Sequence, residues 1–134
     1  MDLTTLNSRV EDFETIARFI FSSSEYRVSD QTVKHTAFLP ARDMAASVYR
    51  IDGCSEDEIS QIDQKYVSGQ RTDKKVSKGR ADILVRQVRK AQLNVISNPS
   101  PHPRHADIVG YSSEAENRMK AIELAQNAEL VLKK

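Results

Sequence analysis

The residues best suited to chemistry lie in one proline-framed turn, Pro99-Ser100-Pro101-His102-Pro103-Arg104-His105. Proline fixes its own φ and restricts its predecessor, so three prolines in five positions stiffen the stretch and hold it extended. In an alternating backbone His102 and Arg104 share a face and His105 points away. A guanidinium binds phosphate through paired hydrogen bonds, and an imidazole moves a proton near neutral pH. His102 and His105 are therefore the candidate acid and base, and Arg104 is a candidate phosphate ligand. The plainer reading of the same residues is a polar turn with one imidazole bonded to a backbone carbonyl.

Other groups carry weaker signals. His35, joined with Asp82 or Asp107 and a histidine of the turn, would make a metal set, but the spacings match no metal motif, and no metal is assigned. The basic run with Arg71, Lys74, Lys75, Lys78 and Arg80 suits a nucleic-acid backbone; Asp73 dilutes it, and a solvated loop has the same composition. No P-loop or dinucleotide fingerprint surrounds Gly79-Arg80, so no cofactor is implied. Ser22-Ser23-Ser24 offer hydroxyls near Arg18, but no G-x-S-x-G elbow marks a hydrolase nucleophile. Cys54 precedes a capped helix, whose dipole would lower its pKa; as a small, partly buried residue it would be inert.

These groups must be positioned by a chain of 134 residues, the length of a single domain spanning 1–134. With 39% hydrophobic and 29% charged residues, the composition is that of a globular protein. A net charge of +1 argues against a strong non-specific polyanion binder. One cysteine excludes an internal disulfide, and no apolar run is long enough to span a membrane. The start of the chain lacks the basic and apolar regions of a signal peptide, which makes the cytoplasm the expected location.

Apolar residues at Leu6, Val10, Phe13, Ile16, Ala17 and Ile20 predict an amphipathic helix capped by Asn7 or Ser8, with Phe19-Ile20-Phe21 as an alternative short strand. Val33–Leu39 and Ser47–Ile51 read as an antiparallel hairpin around Pro40-Ala41-Arg42-Asp43. Ser55 and Glu58 form a capping box, and the helix it opens runs with Ile59, Ile62, Tyr66 and Val67 to Gly69. Ala81–Val88 fits a strand or a short helix running on to Lys90; Leu93–Ile96 and Ala106–Tyr111 fit strands. Ser113 and Glu116 make a second capping box, opening a long C-terminal helix with Met119, Ile122, Leu124, Ala125, Ala128 and Val131. The interspersed elements predict an α+β fold: a small mixed or largely antiparallel sheet packed by two or three helices.

Several stretches form recognisable words: Ala17-Arg18-Phe19-Ile20-Phe21-Ser22-Ser23, Val33-Lys34-His35-Thr36-Ala37-Phe38-Leu39-Pro40, Ser47-Val48-Tyr49-Arg50-Ile51, Gly79-Arg80-Ala81-Asp82-Ile83 and Pro103-Arg104-His105-Ala106-Asp107-Ile108-Val109-Gly110. In these the chain resembles a group of short uncharacterised bacterial proteins, from about residue 17 into the last helix. The pattern more usually has Trp where this chain has Tyr111, either ring serving as an aromatic lid on the strand end. The resemblance brings no activity. It singles out Arg18, Lys34, Arg50, Arg80, Arg104 and His105 as residues inside the shared words.

Two functional classes follow. In the first, Arg18, Lys34, Arg80 and Arg104 converge to bind a phosphate-bearing ligand, RNA or a nucleotide, and His105 or His102 gives the site metal-independent nuclease chemistry. Asp82 and Asp107 keep a magnesium nuclease as a lesser option. In the second, the chain is a non-catalytic interaction protein or regulatory subunit with a protein partner, and its arginines are salt bridges or interface anchors. Neither class involves a membrane, and the oligomeric state is left open.

Overall fold

The computed structural model describes residues 6–133, and its first regular element corrects the expectation of an N-terminal helix. Thr15–Ile20 is a strand, β1. Ile16, Ala17, Phe19 and Ile20 are all buried, because β1 is covered on both faces. Apolar residues on both faces of a strand reproduce the spacing of a helical stripe. The short strands Tyr26–Arg27 (β2) and Thr32–Val33 (β3) pair as a two-stranded ribbon, and His35–Phe38 then form a single 3₁₀ turn. The strand expected over Val33–Leu39 is therefore absent. Ala46–Arg50 is β4, but it pairs with β1 and with a later strand, so the expected hairpin does not form.

The capping box at Ser55 is present. Ser55 Oγ accepts from the Glu58 amide at 3.1 Å, and the Glu58 carboxylate accepts from the Ser55 amide at 3.0 Å. It opens α1, Glu56–Ile62, which relaxes into a wider π-type turn over Asp63–Val67 and a 3₁₀ turn over Ser68–Gln70. Both readings of the next stretch hold in sequence: Gly79–Leu84 is strand β5 and Val85–Lys90 is helix α2. Asn94–Ser97 (β6) and His105–Val109 (β7) follow, then α3 over Glu114–Gln126. Ser113 Oγ accepts from the Glu116 amide at 3.3 Å, one half of the expected box. The last helix ends earlier than the periodicity predicts, and Glu129–Leu132 turn back as strand β8. The buried side of α3 is Asn117, Ala121, Leu124 and Ala125, while Met119 lies exposed.

Six strands form one sheet in the order β6-β7-β4-β1-β5-β8, with every pair antiparallel. The fold is α+β. One face of the sheet carries Ile16, Ile20, Val48, Ile83, Val95 and Ile108 and is covered by α2, α3 and Phe38. Tyr111 closes this side by donating its hydroxyl to the Phe38 carbonyl at 2.7 Å, and burial pushes its pKa up to about 12. The other face carries Ala17, Phe19 and Tyr49 and is packed by Ile51, by Ile59 and Ile62 of α1, and by Phe21, Cys54, Tyr66 and Val67.

A buried ion pair ties the start of the described chain to this sheet. Arg50 donates from Nε and Nη2 to the two Glu14 oxygens, at 2.8 and 2.9 Å, and from Nη1 to the Asn7 carbonyl at 2.6 Å. Burial pushes the Glu14 carboxyl up, but the Arg50 and Glu11-amide hydrogen bonds and the arginine charges outweigh it, so its pKa lies below its ordinary value. Asp63 is similar: burial raises its pKa, yet hydrogen bonds from Ser68, Ser77 and Lys133 bring it below the usual value. Carboxylates of this kind stabilise the fold fully above their unfolded values, 4.5 and 3.8, and that contribution is lost as pH falls through the lower folded values. Glu14→Ala should cost about 3–5 kcal/mol, since it strands a buried guanidinium. Urea melts should show the gap between wild type and this variant narrowing as pH is lowered below 4.5.

Gly79 allows β8 to lie close on β5. A Cβ there would stand 2.4 Å from the Val131 carbonyl oxygen and 2.8 Å from the Leu132 Cα. Both are backbone atoms, so no side-chain rotation relieves the clash. Gly79→Ala should therefore destabilise the protein by about 1–3 kcal/mol in a urea melt, with hydrogen-exchange protection lost first along β8.

Candidate functional site

The half-covered face of the sheet contains a polar cleft of about 350 Å³, lined by the ends of β1 and β4, the 22–25 turn, Tyr66 and the loop after α1. It exists because β1 and β4 separate. Their pairing covers Ile16↔Arg50 and Ala17↔Tyr49. Beyond that, the Arg18 side chain takes over: Nη1 donates to the Ser47 carbonyl at 2.8 Å and Nε to the Ala37 carbonyl at 3.1 Å. Burial pulls the Arg18 pKa below its ordinary value, against the opposing charges of Glu25 and Tyr111.

Alternation places Ser47 and Tyr49 on the cleft face of β4 and His105 and Asp107 opposite them on β7, in register Ser47↔Asp107 and Tyr49↔His105. Ser47 is exposed, whereas His105 is 8% exposed. The Ser47 Oγ lies 2.6 Å from His105 Nε2, and His105 Nδ1 lies 2.8 Å from the Asn98 carbonyl oxygen. A carbonyl only accepts, so this contact assigns the ring proton to Nδ1 and turns the Nε2 lone pair toward the serine hydroxyl. Asn98 is itself held to β7: its amide donates to the His105 carbonyl at 3.0 Å and its side-chain nitrogen to Asp107 Oδ2 at 2.8 Å. Asp107 Oδ1 stands 3.8 Å from His105 Nε2.

His102 reaches the same place from the other side of Tyr49. Its ring packs edge-on against Tyr66 at 5.0 Å and Tyr49 at 6.3 Å, while His105 packs against Tyr49 at 5.3 Å. The two imidazoles therefore share the Tyr49 ring, which corrects the expectation that His105 points away from its neighbours. The turn is not evenly extended: the Ser100-Pro101 bond is cis, and the His105 amide donates back to the His102 carbonyl at 2.9 Å. His102 Nδ1 accepts from the Arg104 amide at 3.0 Å. Burial and the Arg104 charge lower the His102 pKa.

The remaining candidates stand elsewhere. Arg104 is buried, and its Nη1 donates to the carbonyls of Arg50 and Asp52, each at 2.9 Å. Arg80 holds Glu56 through Nη1 and Nη2 and Asp82 through Nε, beside a separate, mostly apolar pocket of about 510 Å³ that Ile59 and Val131 also line. Lys34 lies with His35 in a depression between the β2–β3 ribbon and α3. The six predicted site residues thus do not converge on one concave surface. Arg18 lines the cleft, and His102 and His105 pack against its lining residues Tyr49, Tyr66 and Ser47; Arg80, Arg104 and Lys34 do not line it.

Reading by residue type missed Ser47, Tyr49 and Tyr66, and treated Arg71 and Lys75 only as part of a basic run. Arg71 and Lys75 line the cleft mouth, with the Arg71 guanidinium 4.0 Å from the centre of the Phe21 ring and bonded to Asp73. Glu25 contributes one carboxylate, whose Oε1 accepts from the amides of Phe21 and Ser22. The alternation of Ser47 with Tyr49 was visible in the sequence, but its pairing with β7 was not. Cys54 is half-buried, and burial pushes its thiol pKa up, so the helix start does not activate it. Among the described residues no group of three His, Cys, Asp or Glu side chains is placed to hold a metal ion. None of the described helices is long and apolar enough to cross a membrane.

No family model, curated protein or solved structure matches the chain.

The lowered pKa of His102 has a direct readout. In a ¹⁵N NMR titration His102 should stay neutral at pH 7, titrate below 6.5 and carry its proton on Nε2, because Nδ1 accepts the Arg104 amide. A midpoint above 6.5, or a proton on Nδ1, would contradict this arrangement.

Proposed function

We propose that the protein binds a phosphate-bearing ligand, RNA or a nucleotide, in the cleft between β1 and β4. The observation that carries this reading is the charge of the cleft: Arg18, Arg71 and Lys75 face it, with Glu25 the carboxylate in its lining and Asp73 paired to Arg71 beside it, which leaves a net positive wall. The oxygens of a phosphate accept charge-assisted hydrogen bonds from such groups, and Ser22 adds a neutral hydroxyl at the same wall. Tyr49, Tyr66 and Phe21 supply aromatic surface on which a base can stack. A volume of about 350 Å³ is the size of a small-ligand site and accepts one nucleotide unit at a time.

In this reading Arg71 and Lys75 are the phosphate ligands at the mouth and Arg18 is the fixed charge at the floor. Arg80 and Arg104, spent on carboxylates and carbonyls, support the fold. Calorimetric titration with a mononucleotide and a short oligoribonucleotide tests it. Arg71→Ala and Lys75→Ala should each weaken binding by roughly tenfold, the size expected when one charge-assisted hydrogen bond is lost. Lys34→Ala should leave affinity unchanged, and affinity should fall steeply with added salt. Absence of binding by either ligand would sink the reading and favour the interaction-protein class.

A further inference from the structure

We propose that Ser47 is a nucleophile with His105 as its general base, and that it takes up the acyl group of an ester whose other part carries the phosphate. The nucleophile stands on its own geometry; only the phosphate-bearing part of the substrate rests on the function proposed above. An enzymatic serine needs access to substrate, a base within hydrogen-bond reach, and a third group that orients the base. Ser47 is exposed in the cleft, and its Oγ is 2.6 Å from His105 Nε2. The Asn98 carbonyl, 2.8 Å from Nδ1, fixes the tautomer in which Nε2 accepts a proton. A backbone carbonyl here does the orienting that a carboxylate does in other serine–histidine sites.

The setting favours proton transfer in the same direction. Asp107 Oδ1, 3.8 Å from Nε2, stabilises the imidazolium that forms. Arg71 and Lys75 line the same cleft as Ser47 and add positive charge to it, Arg71 paired with Asp73. Ser47 and His105 sit on adjacent strands and Asn98 is tied to β7, so the three groups are held by the sheet rather than by a mobile loop.

The reaction balances with water as the only co-reactant. Ser47 Oγ bonds to the carbonyl carbon as its proton passes to His105 Nε2. The bond from that carbon to the alcohol oxygen breaks, and Nε2 returns the proton to the departing oxygen. Water then attacks the acyl-serine, gives its proton to Nε2, and collapse releases the acid with the proton restored to Ser47 Oγ.

The test uses the full chain and a fluorophosphonate probe, with labelling followed by intact mass and peptide mapping. Modification should map to Ser47, vanish in Ser47→Ala, and slow by about 100-fold in His105→Gln, the low end of a general base's contribution. His105→Gln keeps a hydrogen-bonding side chain beside Ser47, and its melting curve verifies folding. A step in the pH profile of labelling should be present in the wild type and absent in His105→Gln. Protection by inorganic phosphate supports both readings. Labelling that phosphate does not slow keeps the nucleophile and overturns the phosphate-bearing substrate. Phosphate binding without labelling of folded wild type overturns the nucleophile, as does equal labelling in His105→Gln.

Discussion

The Arg50–Glu14 pair is the contact on which the rest of the sheet depends. A buried guanidinium must be neutralised and have its donors satisfied, or it costs several kcal/mol. Arg50 meets that demand by gathering Glu14, the Asn7 carbonyl and the Arg9 carbonyl around the end of β4. Glu14 immediately precedes β1, so the pair fixes where β1 enters the sheet and its register against β4. The Thr15 carbonyl accepts from the Ile51 amide at 3.1 Å, and the Glu14 carbonyl accepts from the Val85 amide at 2.9 Å. Arg104 locks the next strand to the same point. Its carbonyl accepts from the Arg50 amide at 2.8 Å, while its own Nη1 donates to the Arg50 carbonyl. The β1–β4–β7 register follows from these contacts, and with it the placement of His105 beside Ser47.

The arginines divide into two tasks. Arg50, Arg80 and Arg104 neutralise buried or partly buried acceptors and hold elements together. Arg18 does something different: it substitutes for ladder hydrogen bonds where β1 and β4 part, and so holds the cleft open while closing its floor. The uneven cover of the two sheet faces has the same effect on function. Two helices and Phe38 seal one face, whereas α1 is only two turns long and leaves part of the other face to solvent.

What the sequence revealed was local. Ser55 with Glu58 announces α1 because both halves of a capping box lie within four residues, and β4 shows in the run Ser-Val-Tyr-Arg. β1 was hidden because burial on both faces places apolar residues where a helix would also place them. β8 was hidden because Ala128 and Val131 prolong the spacing of α3, although Asn127 ends that helix. The site was the least legible part. Ser47 and His105 are 58 residues apart, and only the register of β4 on β7 joins them. His102 and His105 were visible by type, but their shared contact with Tyr49 depends on how the turn folds back.

The strand order carries a cost in time. β1, the first strand of the sheet to leave the ribosome, sits near its centre and pairs with β4 and with β5, which ends at Leu84. Until those partners exist, Ile16, Phe19 and Ile20 have no sheet to enter, and closing the long intervening loops delays their burial. Growth at about 5–20 residues per second leaves this apolar segment without its β5 partner for seconds. The nascent chain therefore carries β1 with one of its two sheet neighbours still missing until β5 emerges, the interval in which it is open to aggregation or chaperone capture.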